Sequence, residues 1–237
     1  MLTFFKQSPE ARAVLSEKKD GSMRLLPKRE DWLPENIENR KQYFKKAGLA
    51  EKKIVAAHLV HGNHVAFVDH SSSDYILETD GLITNDSSVA LAITVADCYP
   101  VYLYDKKKGI FGLLHVGWQG AAKNIVVEAI RSMKVKGSDP AEIAVVIGPG
   151  ICQEHYDIPL ERAIFFKNYS EAISEKDGQL YFDIKKIIYR QLKESTITTI
   201  FDSGECTYCL SEKYFSYRRD KPRNIEVMVA VIGILKK

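Results

Sequence analysis

Apolar positions recur along the chain with two different periods, and each change of period marks an element. Between Lys53 and Trp118 they arrive in short runs: KIVAAHLVHGNHVAFV, YILETDGLIT, VALAITVADCYPVYLYD and GIFGLLHVGW. Short apolar runs bounded by turn residues predict strands. In several of these runs both alternating positions are apolar, the pattern of strands covered on both faces. Gly62-Asn63 separates two apolar runs as a hairpin turn would, and KKKG, ending at Gly109, predicts another turn. EIAVVIGPG, TITTIF and NIEVMVAVIGIL predict three further strands. A period near 3.6 appears elsewhere. NIENRKQYFKKAG places Asn36 at a capping position, carries Ile37 and Phe44, and stops at Gly48, which predicts a helix. AAKNIVVEAIRSMKVKG repeats Ile125, Ala129 and Met133 at four-residue spacing, and LERAIFFKNYSEAI reads as a second cover helix. In DIKKIIYRQLKES, Asp183 can cap while Ile184, Ile187, Ile188 and Leu192 form one stripe. Residues 1–35 pattern weakly: a short apolar start, a KKDGS turn, then KRED and a Pro-containing link predict one or two strands and a loop.

Strands and helices alternate too irregularly for a strict βαβ repeat. The order predicts an α/β fold, a single-domain mixed-sheet sandwich with flanking helices over residues 1–237, rather than a Rossmann or barrel fold. Composition agrees: 45% hydrophobic and 27% charged residues exclude disorder and a small disulfide-stapled scaffold. A net charge of +3, spread along the chain, gives no argument for a nucleic-acid partner. No run approaches the ~18–20 apolar residues of a membrane span, and MLTFFKQSPEARAV lacks the features of a signal peptide. A cytoplasmic protein with no membrane partner is expected, with Cys98, Cys152, Cys206 and Cys209 reduced and available to metals or thiol chemistry.

Histidine is scarce, and three of the six crowd into HLVHGNH. If that segment is extended, His61 cannot share a face with His58 or His64, so the run is not by itself a metal site. His58, His64 and His70 are expected to be surface or hydrogen-bonded residues. Cys98 ends an apolar run in TVADCYPV, and His115 ends another in GLLHVGWQGAA, where Gly117 and Gly120 permit close backbone approach and a helix expected from Ala121 offers free N–H groups. His61, Cys98 and His115 together have the composition of a catalytic zinc site with an open fourth position, although the same ligands can hold copper. Cys206-Thr-Tyr-Cys209 is a CxxC with no second CxxC or HxxxH to complete a four-ligand site and no thioredoxin-like context, so a structural role is expected. In YFSYRRD, Arg218 or Arg219 could bind phosphate or carboxylate, and VIGPGICQEHYDI has a Gly-Pro-Gly turn able to bring backbone near a ligand.

The ordered set LVHG, DGLIT, ADCYPVYLYD, LLHVGWQG, IGPGI with YDI, and CTYC with YFSYRRD resembles the YfiH family, also called the DUF152 or multicopper polyphenol oxidoreductase laccase group. The resemblance covers about Asn36 to Asp220. It implies an α/β sandwich distantly similar to toxin deamidases. It also makes His61, Cys98 and His115 zinc ligands and sets Asp97 beside them, where such a group orients a ligand or handles protons. A multicopper oxidase needs many more imidazoles than six, in His-x-His pairs that this chain lacks, so laccase activity is not expected. Several positions depart from the family pattern. SEKKDGSM replaces a TRxGGVS-like stretch, Gln119 stands where the HxGWxG motif carries arginine, Leu59 replaces a glutamine, His155 a cysteine, and PRNIEVM a GRM-type motif. Loss of two arginines removes cationic ligands for anions.

The resemblance, to a family whose members are described as purine nucleoside enzymes and, in one branch, as a peptidoglycan editing factor, implies a zinc-dependent purine nucleoside enzyme, a phosphorylase or deaminase acting on adenosine with phosphate or water. Cys98, His115 and Asp97 are its catalytic candidates, and Gln119 and Arg218 its substrate-binding candidates, the start of the helix after Gly120 joining Arg218 as an anion site. The alternatives are a thiol hydrolase or amidase, with Cys98 as nucleophile and His115 as base, acting on a peptidoglycan precursor, and a divergent binding protein without catalysis.

Overall fold

The computed structural model describes residues 2–5, 7–25, 28 and 32–235. Most of the KRED segment and the residues just before it lie outside this set, so the expectation there is not addressed. The described chain opens with strands β1 (Leu2–Phe4) and β2 (Ala11–Leu15), helix α1 (Pro34–Lys46) and strands β3 (Lys53–Ala57), β4 (Val65–Phe67), β5 (Tyr75–Ile76) and β6 (Gly81–Thr84). Three long strands follow, β7 (Val89–Val95), β8 (Tyr99–Asp105) and β9 (Ile110–Val116), then helices α2 (Trp118–Ala122) and α3 (Ile125–Val135). Next come β10 (Ile143–Ile147), β11 (Asp157–Ile158), α4 (Leu160–Ala163), β12 (Ile173–Lys176), β13 (Gln179–Phe182) and α5 (Ile184–Glu194). The chain closes with β14 (Thr199–Asp202), α6 (Tyr217–Asp220) and β15 (Met228–Ile234).

Two six-stranded mixed sheets stack face to face. The first has the order β1-β2-β15-β7-β3-β5, the second β14-β10-β8-β9-β6-β4, and a small sheet β11-β13-β12 lies beside them. The period-2 alternation of the long strands divides their side chains between layers. In β7, Leu91, Ile93 and Val95 point between the two sheets and meet Tyr102, Tyr104, Phe111 and Leu113, while Ala90 and Ala92 face outward toward Tyr43 and Phe44 of α1. In β8 and β9, Val101, Leu103, Ile110 and Leu114 turn the other way and pack under Ile125, Ala129 and Met133 of α3 and Ile184, Ile187, Ile188 and Leu192 of α5. Runs with no polar face are therefore strands covered on both sides, and the fold is an α/β/β/α sandwich. Each fully buried Leu, Ile or Val contributes roughly 1.5–3 kcal/mol.

Local expectations fare unequally. Asp183 caps α5, accepting from the Lys186 N–H at 3.1 Å. For α1 the expected cap is displaced: the helix starts at Pro34, whose fixed φ suits a first turn, and the Asn36 amide instead donates to the Arg24 carbonyl at 3.1 Å. Helix α2 starts at Trp118 rather than Ala121, with Gly117 as its cap residue. The cover helix expected in LERAIFFKNYSEAI is a single α-turn followed by 3₁₀ turns that kink at Phe166 and Tyr169. Gly62-Asn63 does not turn a hairpin, because β3 belongs to the first sheet and β4 to the second. The sheet β11-β13-β12 was not anticipated; its strands have two to four residues, too few to show a period.

That failed hairpin is what positions the site. Three successive connections cross from the first sheet to the second at one corner: β3 to β4, β5 to β6, and β7 to β8. They carry, respectively, His61, Asp80 and the pair Asp97-Cys98.

Candidate metal centre and its cavity

Because β8 and β9 pair with Pro100 opposite His115, the last residues of β9 lie beside the β7–β8 corner. His61 adopts φ 58° in its crossing loop, which folds the segment back rather than leaving it extended. As a result the ligand atoms of His61, Cys98 and His115 all lie within 4.8 Å of one another. The two imidazole rings meet edge to face with centroids 4.9 Å apart. His115 is buried, Cys98 half-buried and His61 exposed.

Asp80 organises this group. It is fully buried, and its carboxylate accepts from the backbone N–H groups of Val60 (3.1 Å), His61 (2.9 Å) and Gly62 (2.7 Å). It also pairs with His115 Nδ1 at 2.9 Å. A carboxylate on Nδ1 fixes the tautomer and leaves Nε2 as the coordinating nitrogen. Burial works against its charge, but the His115 contact and the loop N–H groups outweigh that and hold the Asp80 carboxyl below its ordinary range. Burial likewise opposes ionisation of Cys98, yet the neighbouring His115 charge and hydrogen bonds from both histidines bring the thiol down to about 6. Against its own burial, His115 is pushed up to about 10 by Cys98 and Asp80. A thiolate beside two imidazoles is a donor set that suits zinc, and the three residues fit such an ion.

The glycines of GLLHVGWQGAA have specific neighbours. A Cβ on Gly117 would sit 2.9 Å from Cys98 Sγ and 3.4 Å from the His61 ring, and one on Gly120 would sit 2.9 Å from the Gly62 carbonyl oxygen. Both positions therefore require the absence of a side chain.

Above the group opens a cavity of about 650 Å³. It is lined by all three candidate ligands and by Asp97, Trp118, Tyr156, Arg162 and Arg218. Arg162 lies over the Trp118 ring (4.9 Å) and Arg218 over the Tyr156 ring (5.0 Å), so each arginine is paired with an aromatic face. Arg218 Nη1 also contacts Asp157 Oδ1 at 2.6 Å. Arg24 and Arg40 reach the wall from the N-terminal segment and α1. Asp97, at φ 92°, spends both carboxylate oxygens on its surroundings, accepting from Thr207 Oγ1 and from the Arg218 backbone N–H, each at 2.7 Å. Gln119 is half-buried in α2 and does not line the cavity.

Of the sequence candidates, His61, Cys98, His115, Asp97 and Arg218 thus share one cavity, and Gln119 stands apart. Of the other histidines, His64 Nδ1 is 3.3 Å from the Glu78 carbonyl and His70 Nδ1 3.2 Å from Ser88 Oγ. His58 lines the cavity, with Nδ1 buried and unpartnered among the described residues. Sequence reasoning missed Asp80, although it stands in the TDGLIT run, and it missed Arg24, Arg40 and Arg162.

Residues 13–234 match the family described as Multi-copper polyphenol oxidoreductase laccase, and the chain belongs to it. A purine nucleoside phosphorylase of Deinococcus radiodurans is 31% identical over 84% of this chain and 78% of its own length. One of Clostridium acetobutylicum is 33% identical over 78% and 77%. Among solved structures, the hypothetical protein YfiH of Bacillus licheniformis superposes with a TM-score of 0.91 at 26% identity, covering 99% of this chain and 96% of that one. YlmD of Geobacillus stearothermophilus superposes with a TM-score of 0.85, also at 26% identity, covering 96% and 93%. No described helix is long and apolar enough to cross a membrane.

Proposed function

We propose that the chain is a zinc-dependent enzyme acting on a purine nucleoside, with adenosine as substrate and phosphate as the co-substrate of a phosphorolysis, or water as that of a deamination. The observation that carries the reading is the convergence of His61, Cys98 and His115 on the floor of a cavity of about 650 Å³, a size suited to a nucleoside. Relatives near 30% identity named purine nucleoside phosphorylases support it.

His61, Cys98 and His115 would hold the metal, which when bound supplies Lewis-acid activation of an oxygen. Asp80 keeps the His115 ring oriented and in the tautomer that coordinates. Trp118 and Tyr156 offer aromatic faces to a purine, and Arg162 and Arg218 beside them offer charge to an anion. In phosphorolysis the bond between C1′ and N9 breaks, a bond between C1′ and a phosphate oxygen forms, and the base leaves with a proton on nitrogen. In deamination water adds at C6 and ammonia leaves.

Zinc-loaded protein is expected to convert adenosine to adenine and ribose 1-phosphate only when phosphate is present, or to inosine without it. No turnover of adenosine by fully loaded protein would overturn the reading. One observation favours a second reading: Cys98 brought to about 6 beside His115 is the polarised pair of a thiol hydrolase. Amidase turnover by metal-free protein that is abolished when Cys98 is alkylated would select it.

A further inference from the structure

The CxxC of residues 206–209 has a partner that its sequence context conceals. Gln153–His155 forms one 3₁₀ turn with Cys152 as its cap residue. In such a turn residues three apart eclipse, so Cys152 and His155 face the same way. Opposite them, Gly150 forms a parallel bridge to Cys206, and the Leu210 N–H closes the Cys206–Cys209 turn by donating to the Cys206 carbonyl at 3.1 Å. The ligand atoms of Cys152, His155 and Cys209 consequently lie within 4.8 Å of one another. Cys206 stands beside this group, its Sγ accepting from the Cys152 N–H at 3.3 Å.

The geometry points to a second, structural zinc site in which Cys152, His155, Cys206 and Cys209 bind one ion as a three-thiolate, one-imidazole set. Four such donors with no place left for substrate are the ligand set of a structural rather than a catalytic zinc. Cys152 Sγ and Cys209 Sγ are 4.0 Å apart. Tetrahedral zinc with bonds of ~2.3 Å sets sulfur pairs ~3.8 Å apart, whereas a disulfide needs ~2.05 Å. The Cys152 backbone N–H aimed at Cys206 Sγ supplies an outer hydrogen bond of the kind that orients a thiolate ligand. The His155 ring is held flat against Tyr208, with centroids 4.1 Å and planes 17° apart, which limits its rotation about the cluster.

This site would fasten two irregular segments to each other. One, after β10, leads to Tyr156 and Asp157; the other, after β14, contains Thr207, which donates to Asp97 at 2.7 Å. The zinc would thus brace the wall of the first cavity without touching substrate, and the proposal does not depend on what that cavity binds.

Elemental analysis of the purified full-length chain tests it. Cys98→Ala and, independently, His61→Ala are expected to retain about one zinc per chain at this second set of ligands. Cys206→Ser/Cys209→Ser is expected to hold one zinc fewer than the unsubstituted protein. As a measurement independent of that variant's folding, cobalt(II) loaded into Cys98→Ala should show the intense near-ultraviolet sulfur-to-metal bands of several thiolates. Absence of those bands, a zinc count unchanged by the double serine substitution, or a non-reducing mass showing a disulfide among the three cysteines would overturn the proposal.

Discussion

Gly117 shows how tightly the metal group is built at the level of single residues. Its missing Cβ would stand 2.9 Å from Cys98 Sγ. Gly117→Ala must therefore displace either the sulfur or the backbone, and zinc content at the first site is expected to fall while circular dichroism stays near that of the parent. Asp80→Asn keeps the shape but replaces an acceptor for four N–H groups, and zinc affinity, read by competition with a chelating dye, is expected to drop about 10–100-fold. The lowered Cys98 thiol has a direct readout. In chelator-treated protein its alkylation by iodoacetamide, followed by mass spectrometry, should rise through about pH 6. An ordinary cysteine reacts through about pH 8.5. The three candidate ligands were legible as a set in the chain because histidine and cysteine are rare there and chemically distinctive. Asp80 was not legible: one carboxylate among 31 acidic residues becomes special only when the fold buries it beneath a loop.

At the scale of elements, the chain reveals strands more readily than the partners they choose. Residues 89–116, with apolar side chains on both faces, are legible as three covered strands because burial on two sides leaves no polar alternation. Whether two neighbouring runs form a hairpin is a question of sheet membership, which Gly62-Asn63 cannot answer locally. Similarly, Cys152 and His155 lie about fifty residues from the CxxC they face, and only the bridge between Gly150 and Cys206 joins them. The segment between β14 and β15 depends on Asp97 for its attachment to the β7–β8 corner. Asp97→Gly relieves the φ of 92° while deleting the carboxylate. Hydrogen exchange is expected to accelerate at Thr207 and Arg218, with the amides inside β7 and β8 unchanged. Equal acceleration everywhere would mean that Asp97 supports the whole sandwich instead.

Taken as a whole molecule, the sandwich compensates in space for what the chain lacks in motif. Arginines expected from the family pattern near the N-terminus and after the tryptophan are missing, yet Arg24, Arg40, Arg162 and Arg218 converge on the cavity from four separate segments. If Arg162 binds the anion, Arg162→Ala should raise the KM for phosphate about tenfold or more, as loss of a charge-assisted hydrogen bond worth ~1.5–3 kcal/mol requires. The KM for adenosine should move less, and a uniform loss of kcat would instead mark Arg162 as a support for Trp118. Such convergence cannot be read from spacing, because it depends on how two sheets and four layers stack.

The three crossings at one corner have a further consequence. His61 and Cys98 are hung on connections between the sheets, and His115 ends a strand of the second, so the distance between donor atoms reports how the two sheets sit on one another. An ion gripping all three would behave like a rivet through a lap joint: it opposes shear of one plate over the other. Binding free energy at the centre is then shared with the aromatic layer of Tyr102, Tyr104 and Phe111 between the plates. Enlarging or trimming that layer, far from any reacting atom, would retune the grip on such an ion, and withdrawing the ion would loosen the layer in return.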